Sequence, residues 1–307
     1  MRLSTMVYRG RFAPSPTGEL HFGSMVAAVG SYLDAKVHHG EWILRIEDVD
    51  VTRCHQESAL SIIHVLDKWG FEWDGPIIYQ SQRTEIYREY FNRLKKQGIV
   101  YGCSCSRKDL AKNPRGIDHA PLYLGICRQR TNANQAIRAW RIQVPDFEIS
   151  FEDRLQGKQS QNLLHNVGDF VVLRADGLFA YQFAVVVDDI EQKVTDVIRG
   201  ADLLDSTPRQ IWLFHCFSHS SPTYMHLPVA VNHFHEKLSK QTFAKSIAHE
   251  NPILLLKQVL LFLGIKIDND ICSLEELWQV AIEKWRIANI PKLKTIEVPN
   301  HIGDKPC

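Results

Sequence analysis

Two short segments hold residue types that could act on a phosphate. The first is Arg11-Phe12-Ala13-Pro14-Ser15-Pro16-Thr17-Gly18-Glu19-Leu20-His21-Phe22-Gly23-Ser24. A strand feeds a Pro/Gly loop, and the loop feeds a helix whose free N–H groups and positive dipole end suit an anion. His21 could donate to a phosphate as charge grows on it, and Gly23 would let a flat base lie close to the backbone. The second is Lys237-Leu238-Ser239-Lys240-Gln241. Two lysines on a loop after a strand could neutralise triphosphate charge and a departing pyrophosphate. Alone, His-x-Gly reads as an ordinary turn and the lysine run as a solvated loop. Their occurrence as a pair, in this order, shifts the balance towards a functional reading taken up below.

A third group is Cys103, Cys105 and Cys127, close enough in sequence to hold a structural metal. Three thiols leave a tetrahedral ion one ligand short. His119 is the usual chemical choice, and Tyr123 also lies within the stretch. Seven cysteines scattered over 307 residues argue against a secreted disulfide framework. Cys54, Cys216, Cys272 and Cys307 read as buried or incidental.

The elements that would position these groups follow from periodicity. Residues 7–12 read as a strand, and Met25, Val26, Val29 and Leu33 recur at helix spacing. Residues 42–46 form a second strand ending in Glu47, Asp48 and Asp50. A helix over 59–69, a strand over 77–79 and a helix near 87–97 complete the first half. Strands alternating with helices predict a parallel sheet and an α/β class. The rhythm breaks from about 101 to 177. It resumes with residues 181–189, a strand over 194–198, a helix over 208–217 and a last strand over 226–231. Two helical patterns follow, at 253–263 and 274–288. Trp69, Trp73, Trp212, Trp278 and Trp285 read as packing residues, and Lys292-Leu293-Lys294 as a solvated tail.

Composition narrows the class. The chain is 45% hydrophobic and 23% charged, with a formal net charge of +1, so bulk charge announces no nucleic-acid partner. No apolar run of signal-peptide length opens the chain, and the apolar run 253–265 is interrupted and short of a membrane span. The expectation is a cytoplasmic protein with no membrane association.

The two phosphate segments resemble the signatures of the class I aminoacyl-tRNA synthetases. Arg-Phe-Ala-Pro-Ser-Pro-Thr-Gly is the form seen in the glutamyl enzymes. The resemblance continues through Leu44-Arg45-Ile46-Glu47-Asp48, Ala184-Val185-Val186-Val187-Asp188-Asp189 and Val197-Ile198-Arg199-Gly200-Ala201-Asp202. It covers roughly the first 245 residues. Ser24 stands where the general signature has a second histidine, and Gln241 where most members carry serine or arginine. Both departures resemble the glutamyl-queuosine tRNA(Asp) synthetases, which keep the catalytic half and lack an anticodon-binding half. A chain ending at Cys307 leaves no room for that half either.

The resemblance implies a class I Rossmann-like parallel sheet with an inserted zinc-bearing subdomain and a C-terminal helical domain. The expected bounds are 1–98 and 179–241 for the catalytic domain, 99–178 for the insertion and 242–307 for the helical part. It implies His21 and Lys240 as catalytic residues, and His21, Gly23, Lys237, Ser239 and Lys240 as the ATP site. Arg11 and Arg199 would take carboxylates of glutamate, Glu47 its ammonium, and Tyr181 would supply a hydroxyl. Phe12, Ala13, Pro14 and Ser15 would line the same pocket. Cys103, Cys105, Tyr123 and Cys127 would hold one Zn2+, with Tyr123 favoured over His119 on the resemblance, and Mg2+ would accompany ATP. The implied activity is tRNA-independent activation of L-glutamate and its transfer to queuosine of tRNA(Asp), by a monomer. The alternatives are a truncated glutamyl-tRNA synthetase charging tRNA(Glu) and a non-catalytic paralogue.

Overall fold

The computed structural model describes residues 7–129, 136–238 and 246–298. The first half alternates strand and helix: β1 (Arg9–Phe12), α1 (Phe22–Val37), β2 (Glu41–Ile46), α2 (Gln56–Lys68), β3 (Ile78–Tyr79) and α3 (Thr84–Lys96). β1, β2 and β3 pair in parallel, with Arg11 opposite Ile43 and Ile46 opposite Tyr79. In β2 the run Trp42 to Ile46 is wholly buried. A parallel strand covered on both faces needs such a continuous run rather than an alternation.

The middle of the chain holds β4 (Val100–Cys103), α4 (Arg107–Leu110), β5 (Ala139–Ile142), β6 (Glu148–Asp153), β7 (Gly157–Asn162), α5 (Leu163–Asn166) and β8 (Val171–Leu173). β4, β5 and β8 form an antiparallel sheet. The chain then returns to the strand–helix rhythm. α6 (Tyr181–Glu191), β9 (Asp196–Gly200), α7 (Thr207–Cys216), β10 (Thr223–Leu227) and β11 (Val229–Val231) follow, and then α8 (Pro252–Phe262), α9 (Leu274–Lys284) and β12 (Thr295–Glu297). β9 and β10 are parallel, with Arg199 opposite His226. The N–H of Thr195 donates to the carbonyl of Arg9 at 3.0 Å, which sets the start of β9 beside β1.

The stretch 99–178, read from sequence as a single insertion, goes to two places. β4, β5 and β8 form their own sheet, while the β6–β7 hairpin joins the parallel strands, with Asp153 opposite Tyr224 on β10. β7 reads Gly-Lys-Gln-Ser-Gln-Asn and has only a half-exposed edge to fill, so it carries no apolar alternation to announce a strand. The strand expected over 226–231 divides at Pro228, whose missing N–H interrupts a ladder. Its second part, β11, pairs in parallel with β12 (Ala230 opposite Ile296). The run Lys292 to Lys294 is therefore docked, not a loose tail: the Lys294 carbonyl accepts from the N–H of Val229 at 2.9 Å.

One apolar core joins α1, β2, α2 and the C-terminal helices through Met25, Val29, Leu33, Trp42, Leu66 and Val259. Trp278 donates its indole N–H to the Trp69 carbonyl at 3.0 Å, and Trp285 donates to buried Asp34 at 3.1 Å. These tryptophans pack as their pattern predicts. α1 lies so close to β10 that a Cβ on Gly30 would fall 2.4 Å from Leu227 Cδ1. Among the described residues no helix is long and apolar enough to cross a membrane.

Candidate active site and metal cluster

The carboxyl ends of β1, β2, β9 and β10 point the same way, and the polar side chains gather there, as open α/β sheets lead one to expect. A cleft of about 460 Å³ is lined by Phe12, Ala13, Pro14, Ser15, His21, Gly23, Gly200, Asp202 and Lys237, among others. His21 is the N-cap of α1, and its Nδ1 accepts the N–H of Ser24 at 3.2 Å. An accepting Nδ1 leaves the ring proton on Nε2, the nitrogen then able to donate. A Cβ on Gly23 would meet the His21 ring at 3.2 Å and the Leu238 carbonyl at 3.5 Å. Glycine here admits the histidine ring, a closer constraint than the room for a base read from sequence. Lys237 Nζ pairs with Asp202 Oδ2 at 2.6 Å. Ser239 and Lys240 lie outside the described residues.

Beside the cleft is a buried polar pocket. Arg11, Glu47 and Arg199 are 4%, 5% and 4% exposed. Arg11 Nε stands 3.5 Å from Asp189 Oδ1, and Arg45 Nη2 reaches Asp189 at 2.7 Å and Glu47 at 3.3 Å. The Glu47 N–H donates to the carbonyl of Pro14 at 2.9 Å, which pins the end of β2 to the proline loop. Burial raises the Glu47 carboxyl above its ordinary value against the pull of Arg45 and Arg11. Burial likewise raises the phenol of Tyr181, helped by Glu47 and opposed by Arg199 and Arg11, so these four groups share one field. Three guanidinium atoms here are buried without a hydrogen-bond partner among the described residues: Arg11 Nε, Arg45 Nε and Arg199 Nη1. The first two have a carboxylate nearby, Asp189 at 3.5 Å and Asp188 at 3.9 Å, and Arg199 Nη1 has none. A buried donor of this kind is costly, and a ligand carboxylate is the group that would satisfy Arg199 Nη1.

The cysteines also come together. The Sγ atoms of Cys103, Cys105 and Cys127 all lie within 4.8 Å of one another, a cluster that could hold a metal ion such as zinc. Cys105 and Cys127 are 3.6 Å apart, near the edge of about 3.8 Å that tetrahedral Zn–S bonds of about 2.3 Å require. Tyr123 is 1% exposed, with its Oη 3.5 Å from Cys103 Sγ. The N–H of Cys127 donates to Tyr123 Oη at 2.9 Å. Gly168 admits this arrangement: its φ is +72°, and a Cβ would fall 2.2 Å from the Tyr123 carbonyl. His119 is exposed and stands outside the cluster. Burial raises the Cys105 thiol to about 12, aided by its contact with Cys127. Burial opposes ionisation of Cys127 too, but hydrogen bonds from Tyr123 and Ser104 bring it down to about 6.

Next to the cysteines runs a basic cleft of about 670 Å³, lined by Arg107, Lys108, Arg138, Arg141 and Arg174, with Asp176 the one carboxylate in its wall among the described residues. Arg174 pairs with Asp176 at 2.5 Å and with Asp50 at 2.7 Å, three residues beyond Glu47.

Of the residues named from sequence, Phe12, Ala13, Pro14, Ser15, His21, Gly23 and Lys237 line the cleft, and Arg11, Glu47 and Arg199 are buried beside it. Sequence reasoning missed Asp189, which bridges Arg11 and Arg45, His226 and Thr207, which accept from Arg199, and Asp153, which stands behind His226. Asp189 lay within a matched block. His226 and Tyr224 share one face of β10 by strand alternation, but nothing local signals what that face meets.

A family model described as tRNA synthetases class I (E and Q), catalytic domain, matches residues 7–287. The chain belongs to that class. A solved glutamate-tRNA synthetase from Elizabethkingia anophelis superposes with a TM-score of 0.79 at 26% identity, over 96% of this chain and 68% of that one. A protein of Dechloromonas aromatica named Glutamyl-Q tRNA(Asp) synthetase is 51% identical, over 95% of this chain and 98% of its own length. One of the same name from Neisseria meningitidis serogroup B is 46% identical over 93% and 98%. Within its class, the chain is a member of the glutamyl-Q tRNA(Asp) synthetase family.

Proposed function

We propose that this enzyme activates L-glutamate with ATP, without tRNA, and transfers it to the queuosine base at the wobble position of tRNA(Asp). In the first step a glutamate α-carboxylate oxygen attacks the α-phosphorus. The bond to the β-phosphate breaks and pyrophosphate leaves. In the second, a hydroxyl of the modified base attacks the activated carbonyl and AMP departs. Both steps are governed by orientation and charge stabilisation, with no covalent protein nucleophile.

The observation that carries the reading is the buried, unpartnered Arg199 Nη1, set with buried Arg11 and Glu47 beside the His21 cleft. Glutamate offers two carboxylates to Arg199 and Arg11 and an ammonium to Glu47. Tyr181 would add a hydroxyl, with Phe12, Ala13, Pro14 and Ser15 as the wall. In the cleft, His21 Nε2 and the lysines of the 237–241 loop, Lys240 above all, would face the triphosphate, with Gly23 and Ser239 beside it. Magnesium bound with ATP would neutralise further triphosphate charge. Cys103, Cys105, Cys127 and Tyr123 would hold zinc as a structural ion. The basic cleft beside the cysteines would suit RNA phosphates.

Glutamate-dependent ATP–pyrophosphate exchange without tRNA tests the first step. Charging of queuosine-containing tRNA(Asp) against tRNA(Glu) tests the second. Exchange that requires tRNA, or charging confined to tRNA(Glu), would overturn the reading.

A further inference from the structure

Arg199 is held in an unusual way for a buried cation. Its Nε donates to His226 Nε2 at 3.1 Å and its Nη2 to Thr207 Oγ1 at 2.9 Å. Both acceptors are neutral groups. The side chain is 4% exposed, and among the described residues no ion pair reaches it. A buried arginine normally takes a carboxylate directly, because its charge is costly to strand. Here the nearest carboxylate on this line, Asp153, stands one residue further back. His226 Nδ1 is 2.6 Å from Asp153 Oδ2, and both residues are fully enclosed, at 0% and 2% exposure.

The protons follow from the donors. A guanidinium only donates, so His226 Nε2 carries the lone pair and Nδ1 carries the proton, given to Asp153. Asp153 is fixed in turn by the N–H groups of Leu155, Gln156 and His226, at 3.1, 2.8 and 3.2 Å. Burial pushes the imidazole down to about 4, with Arg199 acting in the same sense and Asp153 against it. The ring is therefore neutral at physiological pH. The chain Asp153–His226–Arg199 crosses from the β6–β7 hairpin through β10 to β9. It engages two edges of the guanidinium and leaves Nη1 without a partner.

We propose that His226, anchored by Asp153, is a positioning residue for glutamate: it orients the Arg199 guanidinium without neutralising it, so that Nη1 and its charge are kept for the substrate carboxylate. A carboxylate in the place of the imidazole would hold the arginine as firmly, but would satisfy the charge the ligand must meet. The inference rests on Arg199 as a glutamate ligand, as read above, and adds the device that presents it.

The test uses two substitutions that differ in where they put an acceptor. His226→Gln carries its amide oxygen to the Nε2 position and can still accept from Arg199. His226→Asn carries it only to the Nδ1 position and cannot. KM values for glutamate and ATP are measured by pyrophosphate exchange for both, with Asp153→Asn and Arg199→Ala alongside. His226→Asn is expected to raise the glutamate KM by about tenfold or more, the scale of a lost hydrogen bond to a charged group, with the ATP KM within about twofold. His226→Gln recovers most of that loss. Asp153→Asn keeps an acceptor for Nδ1–H without its charge and gives an intermediate rise. Should His226→Asn fold poorly, that rise decides alone. Equal effects of Asn and Gln, or a glutamate KM unmoved by His226→Asn or Asp153→Asn, would overturn the positioning role. A glutamate KM unmoved by Arg199→Ala would instead overturn the glutamate site itself.

Discussion

Gly23→Ala should separate the stability of this protein from its chemistry. The new methyl would sit 3.2 Å from His21 Cε1 and 3.3 Å from Nδ1, with the Leu238 carbonyl at 3.5 Å behind it. Carbon contacts relax at about 3.5–4.0 Å, so the ring must move by a few tenths of an ångström. Its movement weakens the N-cap bond from Ser24, already long at 3.2 Å. Losing a cap costs about 0.5–2 kcal/mol. Alanine for glycine inside α1 returns up to about 1 kcal/mol. The two nearly cancel, and the melting temperature should shift by only a few degrees. Catalysis has no such offset. A displacement of about 1 Å at a reacting group can cost roughly a hundredfold, so a fraction of that should slow pyrophosphate exchange about tenfold at saturating glutamate and ATP. The measurements are exchange rate and thermal unfolding on the same preparation. Exchange within twofold of wild type would refute the argument that Gly23 exists to seat His21.

Three further outcomes follow from the proposed roles. Lys240→Ala should slow exchange by about a hundredfold with the glutamate KM little changed, as for a contact made in the transition state; a change within a few fold would remove its phosphate role. Purified, never-chelated protein should contain one zinc per chain by elemental analysis. Cys103→Ser should lower that content and the unfolding temperature together, since a structural metal contributes to folding free energy; metal near zero in the wild type would sink the zinc site. Arg107→Glu combined with Arg138→Glu should weaken tRNA binding and make its salt dependence shallower by about one unit of slope per lost phosphate contact. Exchange without tRNA should be unaffected, and an unchanged slope would take the basic cleft out of RNA binding.

The strand–loop–helix around His21 was legible because three local signals coincide: an apolar strand, a proline and glycine loop, and helical spacing from Met25. The β2 run and the C-terminal helices were legible for similar reasons of periodicity. What was hidden lies in contacts between distant residues. Asp34 meets Tyr8, Arg154 and Trp285, and nothing near position 34 records those partners. Asp153 reaches His226 across 73 residues, and it sits on a hairpin whose second strand is polar throughout. β12 is three residues long, and it becomes a strand only because β11 presents an open edge to it. Tyr123 shows the same limit from the other side. Its spacing from Cys127 was visible in sequence, but the approach that brings its hydroxyl to the thiols depends on Gly168, forty-five residues later.

The most direct test of the account is transfer of labelled glutamate to one purified tRNA(Asp), prepared with and without queuosine, and with its 3′ terminal adenosine present or removed. Transfer should require queuosine and should survive loss of the 3′ adenosine. Transfer that ignores the modified base and is lost on trimming the 3′ end would contradict it.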